Sequence, residues 1–461
     1  MRLLRKIALL LPSFLLLMFV YEGLAQDQRV VQIKQLVSDL YNRHLFNGAI
    51  VIGENGKIIL SEGYGFANFK DSVLFTPFTS ADGGSNAKTF TAASILWLAE
   101  KKELKLDDPI QQYLTDYPYS NTRVWNFITH SLGGLPDYDY YFSRAADTAI
   151  VTNELNLKFI ATNRPSIPYS PNTNFQYDNV GFDLASLIVE KVSGLRYEQF
   201  LREHILGPLK MNSTFIRPSR FEQWQPQRTI GYRYHDDSLQ LFDIADREGF
   251  YGGSNLWFDA SDLYNWGTSF YHQPIFSKQL IKQITSPVSI AGKPSQLTLG
   301  AWYHGKSGDA FYYWGNVAGF YSWVYWDKGK KFTIAFMSNT NTPQWTRPLF
   351  TSALIDIMMG KNYEPIKEGD YSVILPDHLD QIKGTYQLND GRKLEIIIDG
   401  GEVNARVNNG MKYRMYLVEN KTFYAPGLEP WISFSSISAN KFQVIHWIST
   451  ILQTSGKRVA D

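Results

Sequence analysis

No cysteine occurs anywhere in the 461 residues. That excludes disulfides, zinc–thiolate sites, iron–sulfur clusters and a cysteine nucleophile. It also excludes anchoring through a lipidated cysteine. Histidine is sparse: eight are scattered along the chain, with no H-E-x-x-H or other metal-ligand spacing, so a metal enzyme is not expected. An excess of one charge is missing as well. Against 45 basic residues stand 44 acidic ones, a net charge of +1. Such a balance gives no reason to expect nucleic acid or an anionic membrane surface as a partner. Asn55-Gly56-Lys57 lacks the G-x-x-x-x-G-K spacing of a phosphate loop. Beyond residue 20 no apolar run approaches the roughly 20 residues that span a bilayer.

The first residues carry an address. Arg2, Arg5 and Lys6 precede an apolar run from Ile7 to Val20, and Gly23-Leu24-Ala25 offers small residues for cleavage. This is the layout of a secretory signal peptide. We therefore expect residues 1–25 to be removed, leaving a secreted or periplasmic protein that starts near Gln26, with no membrane span in the mature chain. Aromatics are plentiful: 28 Tyr, 29 Phe and 12 Trp. They read either as a β-rich core or as the lining of a carbohydrate- or peptide-binding cleft.

Apolar periodicity predicts a helix over 28–45, then a hairpin. Ala49-Ile50-Val51-Ile52 and Lys57-Ile58-Ile59-Leu60 flank an Asn55-Gly56 turn. Helices are predicted from Ser85 to about Lys102, from Phe182 to Val192 ending at Ser193-Gly194, and from Tyr197 to Ile205. Another begins at Asp259, whose carboxylate can cap it. Strand patterns return at 311–314, 321–326 and 332–337, followed by a helix from Pro348 to Met359. Strands at both ends with helices between suggest one mixed sheet. Residues 360–376 read as a linker. Short alternating strands follow, at 393–398, 412–418, 422–424 and 441–448, so 377–461 reads as a small all-β, barrel-like domain.

The chemistry centres on Ser85-Asn86-Ala87-Lys88. Residues three apart on a helix share a face, so the lysine can reach the serine hydroxyl. Free amides at a helix start favour developing negative charge. Burial of an ammonium favours the neutral amine, which can act as a base. A competing motif is Gly83-Gly84-Ser85-Asn86-Ala87, one letter from the G-x-S-x-G elbow. That elbow needs a buried strand before it, and Thr76 to Asp82 does not read as one.

Gly84-Ser85-Asn86-Ala87-Lys88-Thr89-Phe90-Thr91-Ala92-Ala93 resembles the active-site helix of the β-lactamase-related serine hydrolases. That family includes class C β-lactamases, D-alanyl-D-alanine carboxypeptidases, D-aminopeptidases and family VIII esterases. The resemblance runs on through Lys105-Leu106-Asp107-Asp108-Pro109-Ile110, Thr129-His130, Gly134-Leu135-Pro136-Asp137-Tyr138, Tyr177 to Gly194, and Gly207-Pro208-Leu209-Lys210-Met211, covering about residues 30–360. It implies an α/β (α+β mixed) fold, in which an antiparallel sheet is flanked by helices, over residues 26–362. It also implies that Tyr177 completes a proton relay with Ser85 and Lys88, and that Asn179 binds the substrate amide or ester. The family's third motif is K-x-G or H-x-G. Here Tyr313-Trp314-Gly315-Asn316 occupies it, so Tyr313 replaces a cation that helps bind a substrate carboxylate. Gly315 allows close backbone approach, and the Asn316 amide can join that of Ser85 in an oxyanion hole. His304 is the nearby residue that could compensate for the lost charge.

The expected function is acyl transfer to water through Ser85, on a small-molecule ester, amide or peptide, with neither metal nor organic cofactor implied. The missing cation argues against a β-lactam or a free C-terminal D-alanine as main substrate. The rival expectation is a binding or sensor protein on a catalytically impaired scaffold of the same type. Nothing in the sequence specifies an oligomeric state.

Overall fold

The computed structural model describes residues 27–460, apart from 221–227, 236–237, 245–246, 306, 342–345, 364, 367–375, 390, 400–401, 409–411, 420–421, 425–430, 439–440 and 449–452. The expected signal peptide and residues 367–375 of the expected linker lie outside the described residues.

Five helices and eight strands frame the site. The helices are α1 (Gln28–Asn42), α2 (Ala87–Glu100), α3 (Val180–Ser193), α4 (Ala260–Thr268) and α5 (Thr346–Met358). The strands are β1 (Gly48–Glu54), β2 (Lys57–Tyr64), β3 (Pro287–Ile290), β4 (Lys293–Thr298), β5 (Tyr303–His304), β6 (Ala310–Val317), β7 (Phe320–Asp327) and β8 (Phe332–Ser338). They form one sheet in the order β3-β4-β5-β6-β7-β8-β1-β2. Every pairing is antiparallel, as the resemblance implies and unlike the mixed sheet that the order of strands and helices alone suggests. The physical reason is the connection length: β3 to β8 follow one another through short turns, which reverse direction at each step. β8 then receives β1 alongside it, with Gly48 opposite Ser338.

Alternation with period two splits the strand side chains between two layers. Ile50, Ile52, Trp323, Ile334 and Phe336 pack with α1 and α5. Ala49, Val51, Val324, Trp326, Ala335 and Met337 pack with α2, α3 and α4. Trp266, Trp302 and Trp326 are each under 2% exposed, and Phe270 stacks on Trp326 at 4.9 Å. This aromatic wealth lies in the core, as the first of the two readings has it.

Local signals account for the element ends. Asn55 (φ 52°) and Gly56 (φ 76°) form the left-handed pair that turns β1 into β2. Asp259 accepts a 2.7 Å hydrogen bond from the Asp262 amide and caps α4. Gly194, at φ 72°, stops α3. The helix expected over 197–205 is instead a short α segment, Tyr197–Leu201, continued by a π turn, Arg202–Leu206.

The C-terminal region is all β: β9 (Gly384–Leu388), β10 (Lys393–Asp399), β11 (Glu402–Val407), β12 (Lys412–Arg414), β13 (Tyr416–Glu419), β14 (Thr422–Tyr424), β15 (Trp431–Ser438), β16 (Lys441–Ile448) and β17 (Gln453–Ala460). The single strand expected over 412–418 is two, parted at Met415. Sheet order is β12-β11-β10-β9-β17-β16-β15-β14-β13. Its two outermost strands, β12 and β13, are joined by Met415 alone, so their adjoining ends lie one residue apart. Ile396, Ala405, Ile432 and Ile445 are buried on its inner face.

Candidate active site

Ser85 sits in a single 3₁₀ turn, Gly84–Asn86, that runs straight into α2. A two-residue strand, Ala81–Asp82, pairs with Trp257 and Phe258 just before it. The sequence reading had no strand there, and two residues are too few for an alternating pattern to show. Asp82 fixes the turn. Its carboxylate accepts from the Gly84 amide at 2.8 Å and from Trp257 Nε1 at 3.1 Å, with Arg217 Nε 3.7 Å away. Burial pushes the Asp82 carboxyl upward, against the opposing pull of Arg217. Gly84 is left-handed at φ 52°, and a Cβ there would lie 2.8 Å from the Asn316 nitrogen. Only glycine lets the serine turn lie this close to β6. Ser322 on β7 ties the turn to the sheet: it donates to the Gly83 carbonyl and accepts from Asn86 Nδ2, both at 2.7 Å.

Lys88 lies one turn on from Ser85 and is fully buried. Its Nζ lies within hydrogen-bond distance of three oxygens: Ser85 Oγ at 3.1 Å, Asn179 Oδ1 at 2.7 Å and the Gly253 carbonyl at 2.6 Å. Ser85 Oγ and the Tyr177 hydroxyl share a 2.6 Å hydrogen bond. Lys88 Nζ also lies 4.9 Å from the centre of the Tyr177 ring. Tyr177 is 41% exposed, so a substrate can reach the serine–tyrosine pair. Asn179, just before α3, turns its Nδ2 to Asp137 Oδ1 at 3.1 Å.

Three groups around this centre were given no role from the sequence. His130 stacks on Tyr177, ring centres 4.5 Å apart, and its Nδ1 accepts from the Asp178 amide at 3.1 Å. Burial, assisted by the nearby Lys88 charge, pushes its pKa well below the usual imidazole range, so the ring stays neutral. Gly253 accepts from Lys88, and a Cβ on it would meet the Asn179 carbonyl at 2.6 Å. Asp183 accepts from the Gly253 amide at 2.8 Å and from the Tyr138 hydroxyl at 3.0 Å. Burial raises its carboxyl to about 8, with the Gly253 hydrogen bond and Lys88 opposing. The paired Gly252-Gly253 was the available signal, and Gly252 adopts φ 105°.

The third motif lies on β6. Gly315 faces the serine turn so closely that a Cβ would come within 1.8 Å of the Gly83 oxygen. Asn316 is exposed, and its Oδ1 accepts from Arg347 Nη2 at 3.0 Å. Tyr313 points to the same side of the sheet as Gly315 but is 1% exposed, packed against Tyr303 and Trp314 at 5.5 Å each. It is a core side chain in this structure and presents no surface to a substrate. His304 is paired opposite Phe311, four residues before Gly315, and does not take the place of the missing cation. Thus Ser85, Lys88, Tyr177 and Asn179 are joined directly, Gly315 and Asn316 adjoin the serine turn, and Tyr313 is withdrawn. Among the described residues, no group of three or more His, Asp or Glu is placed to hold a metal ion. No helix among them is long and apolar enough to cross a membrane.

Comparison with known proteins agrees with this architecture. The family model described as Beta-lactamase matches residues 33–351. Penicillin-binding protein 4* of Bacillus subtilis (strain 168) is 24% identical over 426 residues, 87% of this chain and 93% of that protein. Protein flp of Staphylococcus aureus (strain MW2) is 24% identical over 66% of this chain, and the match spans 61% of its own length. Among solved structures, the octameric penicillin-binding protein homologue from Pyrococcus abyssi superposes with a TM-score of 0.65 at 21% identity, over 93% of this chain and all of that one. The D-amino acid amidase from Ochrobactrum anthropi SV3 gives a TM-score of 0.58 at 18% identity, over 72% of this chain and 98% of that one. The family match covers well over half of the residues and encloses the serine, lysine and tyrosine that the fold draws together, and on that ground this chain belongs to the β-lactamase and penicillin-binding-protein family of serine hydrolases.

Proposed function

We propose that this chain is an active serine hydrolase that forms an acyl-enzyme on Ser85 and hydrolyses an ester or amide, of the esterase or D-amino-acid peptidase type. One observation carries the reading: the Ser85 oxygen lies within hydrogen-bond reach of both Lys88 Nζ and the Tyr177 hydroxyl. A serine needs a neighbour that takes its proton as it attacks a carbonyl. Lys88, reacting as the neutral amine, accepts that proton and hands it on through the Tyr177 hydroxyl. The amides of Ser85 and Asn316 receive the oxyanion. Tyr177 returns the proton to the departing alcohol or amine, and water then releases the acyl group. The expected signal peptide places this activity outside the cytoplasm, in the periplasm or the medium.

The test is intact-protein mass after exposure to a small fluorophosphonate, with Ser85→Ala and Lys88→Ala in parallel. One adduct on the parent, none on Ser85→Ala and slower labelling of Lys88→Ala is the expected result. The withdrawn Tyr313 is the observation on the other side, since it leaves the third motif without its cation. Absence of any adduct on a folded parent would move the assignment to a binding or sensor protein.

A further inference from the structure

The C-terminal sheet touches the catalytic face at defined side chains. Asn408 follows β11 in a left-handed conformation, φ 49°. Both ends of its amide are engaged. Oδ1 accepts from the Lys393 amide at 2.8 Å, which fixes it to β10, and Nδ2 donates to the Tyr169 hydroxyl at 3.1 Å. Tyr169 lies on the loop that leads to Tyr177. That loop is laced to the segment carrying His130 and Asp137: the amides of Tyr169, Asn172 and Gln176 donate to the carbonyls of Gly133, Ser131 and His130 at 3.1, 2.9 and 2.9 Å. The C-terminal sheet therefore rests on the paired segments that hold the catalytic tyrosine. Tyr413, on β12 opposite Ala405 and close in sequence to Asn408, is half-buried. The Asp137 carboxylate adds to the burial that pushes its phenol upward. Asp137 in turn accepts from Asn179, which holds Lys88. Hydrogen bonds thus lead from the nucleophile through Lys88 and Asn179 to Asp137, while Asn408 ties the C-terminal sheet to Tyr169 on the facing segment.

We propose that the β11–β12 edge of the C-terminal sheet is the outer wall of the catalytic cleft on its Asn179 side, and that Asn408 and Tyr413 are specificity-determining residues limiting substrates to a compact group there. The proposal rests on Ser85 being an activated nucleophile. An appended module that only recruits a partner would leave this side open and would not need a hydrogen bond into the loop that bears Tyr177.

The test uses the full chain and two fluorophosphonates, one with a methyl and one with a dodecyl substituent. The parent is expected to label much faster with the methyl probe. Tyr413→Ala should raise the dodecyl rate about tenfold or more while the methyl rate moves less than about threefold, the scale at which pocket size discriminates. Equal rates for both probes on the parent, or an unchanged ratio in Tyr413→Ala, would overturn the wall. No labelling by either probe would overturn the nucleophile reading and the wall with it. The second measurement needs no chemistry at Ser85. The chain has no cysteine, so a double variant, Asn408→Cys with Tyr169→Cys, offers one thiol pair to a short bis-maleimide. An intramolecular cross-link that leaves the methyl rate intact supports the docked wall; failure to form it overturns the wall even where Ser85 labels.

Discussion

Adding one methyl group at Gly315 tests the oxyanion assignment most directly. The Cβ of Gly315→Ala would lie 1.8 Å from the Gly83 oxygen and 2.8 Å from Ser322 Oγ. Ordinary contact begins near 3.4 Å, so about 1.6 Å must be found by moving backbone against backbone. The serine turn cannot simply swing aside. Ser322 grips it at Gly83 and Asn86, and Asp82 grips it at Gly84. The displacement therefore opens the junction between Gly84 and Asn316, where the serine turn meets β6. Losing one oxyanion donor lowers rate by about 10²–10³, and overpacking costs about 1–3 kcal/mol of stability. Fluorophosphonate labelling, followed by intact mass, reads the first quantity, because the phosphonyl oxygen uses the same donors. Denaturant unfolding reads the second. Gly308→Ala is the control, since a Cβ there meets nothing within 4 Å. Labelling of Gly315→Ala within about threefold of the parent, with a native unfolding curve, would be far from the loss of a donor and would remove the Asn316 amide from the site.

Tyr313→Lys restores the family's cation by letter but places it among Tyr303 and Trp314; it should destabilise the fold by several kcal/mol without conferring nitrocefin hydrolysis. A variant as stable as the parent would show that this pocket is not closed. Asp183, with its carboxyl raised to about 8, contributes stability that is complete below the unfolded value of 3.8 and is lost as pH rises toward 8. Thermal melts of Asp183→Asn should accordingly decline less between pH 5 and 8 than those of the parent, and parallel curves would show that Asp183 is ionised throughout. His130 acts with the opposite sign. Its pKa is lowered, so its stabilisation is present above about 6.5, the unfolded imidazole value, and is lost on acidification. His130→Phe keeps a ring against Tyr177, costs about 1–3 kcal/mol because the Asp178 amide loses its acceptor, and should flatten the acid limb. An acid limb unchanged in His130→Phe would mean that other groups set it.

What could be read in the sequence was the part of the site encoded by short spacing. Ser85 and Lys88 meet because three residues separate them on a helix, and the β1–β2 hairpin forms because Asn55-Gly56 accepts positive φ. Tyr177 and Asn179 were placed by resemblance, and the fold does bring them to Lys88 across a separation of some ninety residues. What could not be read depends on which segments the sheet lays side by side. Gly253 reaches Lys88 from 165 residues away, and the stack of His130 under Tyr177 requires the loop at 164–179 to fold back along 130–137. Tyr313 makes the distinction sharp. Alternation puts it on the catalytic side of β6, in line with Gly315, and that much is a property of the strand. Whether that side opens to solvent at Tyr313 is decided by Tyr303 on the neighbouring strand, which covers it. The sheet is thus entirely antiparallel for a reason visible in the turns, while the absence of a surface cation at the third motif is set by what lies over the strand. A motif's spacing therefore specifies which residues share a face; the neighbouring chain determines which of them a substrate can touch.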